Sequence, residues 1–165
     1  MGAIVCATRG GEGSRAAQLK AVERAKEGDH HLIFLYVVDV HMVGQFDDNL
    51  QSAVRAEFHW LGKSLLHVAQ QRAERAGISA DNAIRDGSVK EEIERFLRES
   101  EADVLMLGAP RGTSPVFGDD AIEHFAQEIE DDTGVPVELI RPEDVPERLG
   151  ELENRVRKSD LPAER

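Results

Sequence analysis

Val104-Leu-Met-Leu-Gly-Ala-Pro-Arg-Gly-Thr113 is the stretch on which the fold turns. Four apolar residues run without a polar break into a Gly-Ala-Pro-Arg-Gly turn, and an amphipathic segment follows from Asp120. A fully apolar strand reads as buried on both faces. A glycine-rich turn leading from such a strand to a helix is the phosphate-pocket plan of open α/β sheets, in which helix N–H groups face the anion. The helix here opens with Gly118-Asp119-Asp120, so two carboxylates stand where an anion would sit. Acidic residues also cap a helix N-terminus well with no ligand present.

Outward from this stretch, strands and helices alternate. Ala3–Ala7, Leu32–Val38 and Val104–Leu107 read as apolar strands, Ala80–Arg85 as a polar one, and Val135–Ile140 as an alternating one. Between them, Ser14–Glu27 forms a helix capped by Ser14, with Leu19, Ala21, Val22 and Ala25 inward. Leu50–Ala76 is a long helix on the stripe Leu50, Val54, Phe58, Leu61, Leu65 and Val68. Ser88–Ser100 opens with the capping box Ser88-x-x-Glu91, with Val89, Ile93, Phe96 and Leu97 inward. Asp120–Asp131 packs on Ile122, Phe125, Ala126 and Ile129. The expected architecture is α/β: a doubly wound, five-stranded, mostly parallel sheet with helices on both faces. The polar third strand and alternating fifth belong at the edges, which gives the order 3-2-1-4-5 and a switch point between strands one and four. Ligands in such sheets sit at that point, between loops 8–14 and 108–118.

The first loop, Thr8-Arg-Gly-Gly-Glu-Gly-Ser14, holds three glycines in four positions. That composition makes a backbone nest for an anion, with Arg9 adding charge, or serves turn geometry alone. Its spacing matches neither the dinucleotide fingerprint nor the Walker pattern. Residues 1–141 form the domain and 142–165 a tail, in which Asp144-Val-Pro-Glu147 starts a helix with Val145, Leu149, Leu152 and Val156 on one stripe. That helix docks on its own sheet, crosses to a second subunit or meets a protein partner.

Composition narrows the function. The chain has 165 residues, 32 acidic and 20 basic, with a net charge of −12. Fifteen of the basic residues are Arg, scattered among Glu, so neither nucleic acid nor an anionic membrane is an expected partner. No apolar run approaches a membrane span, no signal peptide is visible, and the single Cys6 lies inside a strand; a cytoplasmic protein with an inert thiol is expected. His30, His31, His41, His59, His67 and His124 form no metal-binding spacing, and no nucleophile elbow is present. Trp60 and Phe58 read as core or interface residues, and the acidic run Glu128–Asp132 as a solvated face or a site for a cation or basic partner. The chain therefore reads as a binding protein with no catalytic or metal-ligating residues.

Taken in order, Ile4-Val-Cys-Ala-Thr-Arg-Gly-Gly11, Leu35-Tyr-Val-Val-Asp39, Asp86-Gly87, Ala102-Asp-Val-Leu-Met-Leu-Gly108 and Gly134-Val-Pro-Val137 resemble a universal stress protein over about residues 2–141. The resemblance implies the same 3-2-1-4-5 sheet and a homodimer joined through the last strand, here Val135–Ile140, whose open apolar edge needs a cover. One branch of the family binds ATP through an aspartate after strand one and Gly-x2-Gly-x9-Gly-Ser/Thr after strand four. This chain departs at each point. Arg9 stands where that aspartate contacts adenine, Gly108 and Gly112 are separated by three residues rather than two, Ile122 falls where the closing pair should begin, and Asp119 replaces the hydroxyl in Gly118-Asp119. The ligand-binding candidates are Thr8, Arg9, Gly10, Val38, Gly108, Arg111, Gly112 and Thr113. The expectation is a dimeric stress-response binding protein without ATP held in the family manner and with no cofactor. The alternatives are an adenine-nucleotide or small-anion sensor, and a slow metal-assisted phosphohydrolase.

Overall fold

The computed structural model describes residues 2–42, 44–110 and 120–145. Strands β1 (Ala3–Ala7), β2 (His31–Val38), β3 (Ala80–Asp86), β4 (Ala102–Gly108) and β5 (Val137–Ile140) form one sheet in the order β3-β2-β1-β4-β5. Every pairing is parallel. Helices α1 (Gly11–Gly28), α2 (Asp48–Arg75), α3 (Val89–Glu99) and α4 (Asp120–Thr133) connect them.

Alternation along each strand divides the core in two. Ile4, Cys6, Phe34 and Tyr36 point to the face covered by α1 and α2; Val5, Leu35, Leu105 and Leu107 point to the face covered by α3 and α4. Ile4, Val5, Cys6, Leu35 and Leu105 are all essentially inaccessible, as a central strand and its flanks must be. Burial pushes the Cys6 thiol up to about 12, so it stays a small protonated core group. β5 is shorter than its alternation predicts: Val135 and Pro136 precede the strand, although the Pro136 carbonyl still accepts from Leu105 N–H at 3.0 Å.

Three local expectations are corrected. Ser14 does not cap α1; the helix begins three residues earlier with Gly10 as its N-cap, and the buried Ser14 hydroxyl accepts from Arg9 N–H at 3.2 Å. Gly10 has φ 90° and ψ 169°, a conformation essentially restricted to glycine. Leu19 is only half-buried, while Ala17, Ala21, Val22 and Ala25 form the sheet-facing side. The Ser88 side chain makes no capping bond; the N–H of Val89 instead reaches Asp39 Oδ2 at 3.4 Å, across the sheet end.

On α2 the buried stripe is Gly62, Leu66, Ala69 and Ala73, one residue displaced from the apolar stripe read in the sequence. Leu50, Leu61 and Val68 are exposed, and Trp60, at 68 % exposure, is no core residue. The shift follows from contact distance. A Cβ on Gly62 would lie 2.4 Å from the Tyr36 ring, so the glycine lets the helix settle on that ring. The helix also outruns the sheet: 28 residues extend about 42 Å, against about 26 Å for the 8 residues of β2.

The acidic end of α4 is partnered from α3. Lys90 Nζ lies 3.0 Å from Asp132, 3.4 Å from Glu128 and 3.5 Å from Glu94, and Arg98 donates to the Asp132 carbonyl at 3.2 Å. The hydrogen bond from Lys90 lowers the Asp132 pKa, whereas burial and proximity to Asp132 raise that of Glu94. Of the predicted tail helix only its entry is described; Leu149, Leu152 and Val156 lie outside the described residues. Asp144 ends a 3-10 turn (Pro142–Asp144), its carboxylate accepts from Arg141 N–H at 2.8 Å, and Val145 is extended and packs on the α1–α2 core.

Candidate functional site

At the carboxyl ends of β1, β2 and β4, where the chain order reverses, the structure holds a cleft of about 560 Å³. Its walls come from both helical layers: Phe58 of α2 on one side, Val89 and Ile93 of α3 and Phe125 of α4 on the other. Thr8, Arg9 and Ser14 close it from the first loop, and Gly108 and Pro110 from the fourth strand. Most of this surface is apolar, with a few polar groups in the lining. That combination is the ordinary make-up of a small-molecule pocket.

The loops meet at backbone contact. A Cβ on Gly108 would lie 2.3 Å from the Gly13 carbonyl carbon, and one on Gly13 would lie 2.6 Å from the Ala109 carbonyl oxygen. These glycines therefore have a packing role: they bring the first turn of α1 against the end of β4. Residues 8–14 and 108–110 meet at one place, as the strand order predicts.

Thr8 lines the cleft, is buried, and starts a polar chain: its hydroxyl accepts from Gln18 Nε2 at 2.7 Å, and Gln18 Oε1 accepts from Arg72 at 2.6 Å. Its N–H donates to the Leu35 carbonyl at 2.8 Å, which pins the start of the loop to β2. Arg9 is exposed at the cleft, and among the described residues its guanidinium has no hydrogen-bond or ion-pair partner. Gly10 lies on the outer side, against Leu65, where it borders a second, smaller hollow of about 210 Å³. Val38 is buried in the α1–α2 core with its carbonyl accepting from Gly87 N–H at 3.0 Å, while its neighbours Val37 and Asp39 line the cleft. Gly108 lies at the cleft floor; Arg111, Gly112 and Thr113 lie outside the described residues, as does Asp119.

Asp39 is a site residue that the sequence reading missed. Its Oδ1 accepts from His41 N–H at 3.1 Å and its Oδ2 from Val89 N–H, so one carboxylate ties the end of β2 to the start of α3 at the cleft edge. The available signal was an acidic residue directly after an apolar strand, at a carboxyl end facing the switch point. Tyr36, Phe58 and Phe125 also contribute rings, and burial raises the Tyr36 hydroxyl above its ordinary pKa. His41 is exposed on the short 3-10 turn Val40–Met42. Among the described residues, no group of three or more His, Cys, Asp or Glu side chains is placed to hold a metal ion. Nor, among them, is any helix long and apolar enough to cross a membrane.

Comparison with solved structures places this architecture among known proteins. A universal stress protein from Lactobacillus plantarum aligns with TM-score 0.71 and 21 % identity, over 85 % of this chain and 97 % of that one. A protein of the same family from Burkholderia pseudomallei aligns with TM-score 0.68 and 23 % identity, over 84 % and 95 %. One from Arabidopsis thaliana, solved with AMP bound, aligns with TM-score 0.63 and 15 % identity, over 91 % and 99 %. No curated protein matches the chain. At these identities the structural likeness speaks for the fold. The family is shown by the sequence model of the universal stress protein family, which matches residues 1–118, and the chain belongs to that family.

Proposed function

We propose that the protein binds a nucleoside or nucleoside monophosphate in the switch-point cleft, without catalysis and without holding ATP in the manner of the family's ATP-binding branch. The cleft itself carries this reading: about 560 Å³ of mostly apolar space lined by a few polar groups, Thr8, Arg9, Ser14 and Asp39 among them. Proteins of the same fold have been solved with AMP, cAMP and dAMP, which supports a nucleoside-sized occupant. Against a triphosphate stands the acidic opening of α4. The helix begins at Asp120, directly after Asp119, and Ala121 and Ile122 of its first turn line the cleft. A carboxylate within ~4–6 Å of a triphosphate costs a few kcal/mol unless a cation intervenes.

Calorimetric titration in metal-free buffer tests this. AMP or GMP is expected to bind about tenfold or more tightly than the corresponding triphosphate, and the double variant Asp119→Asn, Asp120→Asn to narrow that gap. ATP binding as tight as AMP, unchanged in the double variant, would refute the altered pocket.

We infer further that the protein is a cytoplasmic homodimer in stress response, joined along β5, with residues 142–165 as a tail bearing a partner contact. The end position of β5 supports the dimer. The carbonyls of Pro136 and Ile140 turn toward β4, accepting from Leu105 and Ala109, so the N–H and C=O groups of Val137 and Leu139 face the open edge. Val137→Pro removes one outward donor and leaves the β4 ladder intact. Light scattering should show a wild-type dimer and a largely monomeric variant; a variant that stays fully dimeric excludes this edge.

A further inference from the structure

Leu50, Leu61 and Val68 of α2 are 49 %, 40 % and 41 % exposed, and the helical period sets all three on one side of the helix. Apolar residues scattered singly over a surface are ordinary, whereas a stripe beside an apolar hollow marks a contact surface. The stripe is turned toward the start of α1: Val68 and Leu65 border the smaller hollow together with Gly10 and Gly11. A Cβ on Gly10 would lie 3.6 Å from Leu65, and one on Gly11 would meet nothing within 4 Å, so the glycine turn is open on its outer side.

The tail departs from the other side of that same turn. The carbonyl of Ile140, the last residue of β5, accepts from Ala109 N–H at 2.8 Å, and the Ala109 carbonyl meets Gly13 in the first turn of α1. Arg141 donates to the Pro110 carbonyl at 2.8 Å, and Pro142–Asp144 lies against α1. Val145 then packs on the α1–α2 core, in the layer that carries the stripe. One turn of α1, rich in glycine and therefore narrow, separates this exit from Leu65 and Val68. Continued as a helix from Pro146, the chain would carry Leu152 about 10 Å and Val156 about 16 Å beyond Val145, far enough to pass over one helix of about 10 Å diameter.

We propose that residues 146–156 dock within their own subunit, crossing the glycine turn of α1 and laying Leu152 and Val156 on Leu61, Leu65 and Val68 of α2. The tethered tail starts one helical turn from the stripe, which gives it an effective concentration that a free molecule does not match. The helical period sets Glu147, Glu151 and Lys158 opposite the apolar stripe of the tail, so docking keeps a charged face outward for a partner. The docking does not depend on what the cleft binds.

Cysteine pairs in the full chain test it, with Val68→Cys combined in turn with Leu152→Cys and Val156→Cys and oxidised by oxidised glutathione. His67→Cys with the same partners is the control, exposed at the same level of α2 but a quarter-turn or more away from the stripe. Cys6 is wholly buried and takes no part. A Val68 pair should close a disulfide within one chain, seen at monomer mass on a denaturing gel, at least about tenfold faster than the control. In the chain without added cysteines, amides of residues 149–156 should exchange with deuterium at least about tenfold more slowly than in Val68→Lys. A covalent dimer in place of the internal disulfide would give the stripe to a second copy and overturn docking within the subunit. Equal rates for Val68 and His67 pairs, or exchange at residues 149–156 unchanged by Val68→Lys, would leave the stripe bare or open to another protein and overturn it as well.

Discussion

Gly108→Ala is expected to destabilise the protein by about 3 kcal/mol or more, with Gly13→Ala close behind. The added methyl of the first would stand 2.3 Å from the carbonyl carbon of Gly13, 2.4 Å from its oxygen and 2.5 Å from the nitrogen of Ser14. All three are backbone atoms at the start of a helix, so none can swing aside as the end of a flexible side chain would. Relief requires moving the first turn of α1 away from β4, with loss of burial at Ala16 and Ala17 behind it. For a chain of this size the loss lowers Tm by roughly 6–12 °C. The pair should be less than additive, because both methyls enter one gap. Gly134→Ala is the control: φ is 72° and no atom lies within 4 Å of the added carbon, so only about 1–2 kcal/mol of backbone strain is expected. Urea unfolding reads all three. A Gly108→Ala protein within 1 kcal/mol of wild type would mean that the two switch-point loops are not held in backbone contact.

Ala121→Trp should abolish ligand binding while leaving the fold intact. Ala121 is exposed in the first turn of α4 and lines the cleft. An indole there occupies space that a purine ring would take, and a nucleoside monophosphate should lose at least about thirtyfold in affinity. The substitution buries nothing that was paired, so stability should stay within about 0.5 kcal/mol of wild type. Titration beside a melting curve separates the two effects. Undiminished affinity in a stable variant would move the ligand to another surface.

The sheet was legible because strand burial writes itself into composition. β1, β2 and β4 are buried on both faces and almost wholly apolar, while β3, with Asp81, Asn82, Arg85 and Asp86, can only be an edge. The switch point follows from that order alone. The contact face of α2 was not legible, for a reason of size. Its two stripes lie side by side, and hydropathy favours Leu61, Leu65 and Val68 over Gly62, Ala69 and Ala73. Close approach favours the small residues, and it decides the packing. The caps failed for another reason. Ser88 leaves its helix uncapped while Asp39, some fifty positions earlier, takes the N–H of Val89 in the first turn, and Ser14 turns its hydroxyl back to Arg9; neither arrangement shows in a local pattern.

For the site, the sequence supplied the loops and the structure supplied the walls. Thr8, Arg9 and Gly108 were legible because glycine-rich turns after buried strands mark a switch point. Asp39, Phe58 and Phe125 were not, since each looks like an ordinary cap or core residue until three elements bring them to one cleft. The loop glycines carried two readings, anion nest and geometry; for Gly13 and Gly108 the structure shows a geometric role in the contact between the loops.

A nucleotide site in the switch-point cleft is the central proposal. Backbone amide NMR spectra recorded during titration with GMP test it most directly, because they locate the ligand as well as detect it. Saturable shifts at Thr8, Arg9, Val37, Asp39, Ile93 and Phe125, with β5 and the outer face of α2 unmoved, are the predicted result. Absence of shifts at millimolar GMP, or shifts centred on another surface, would contradict the claim.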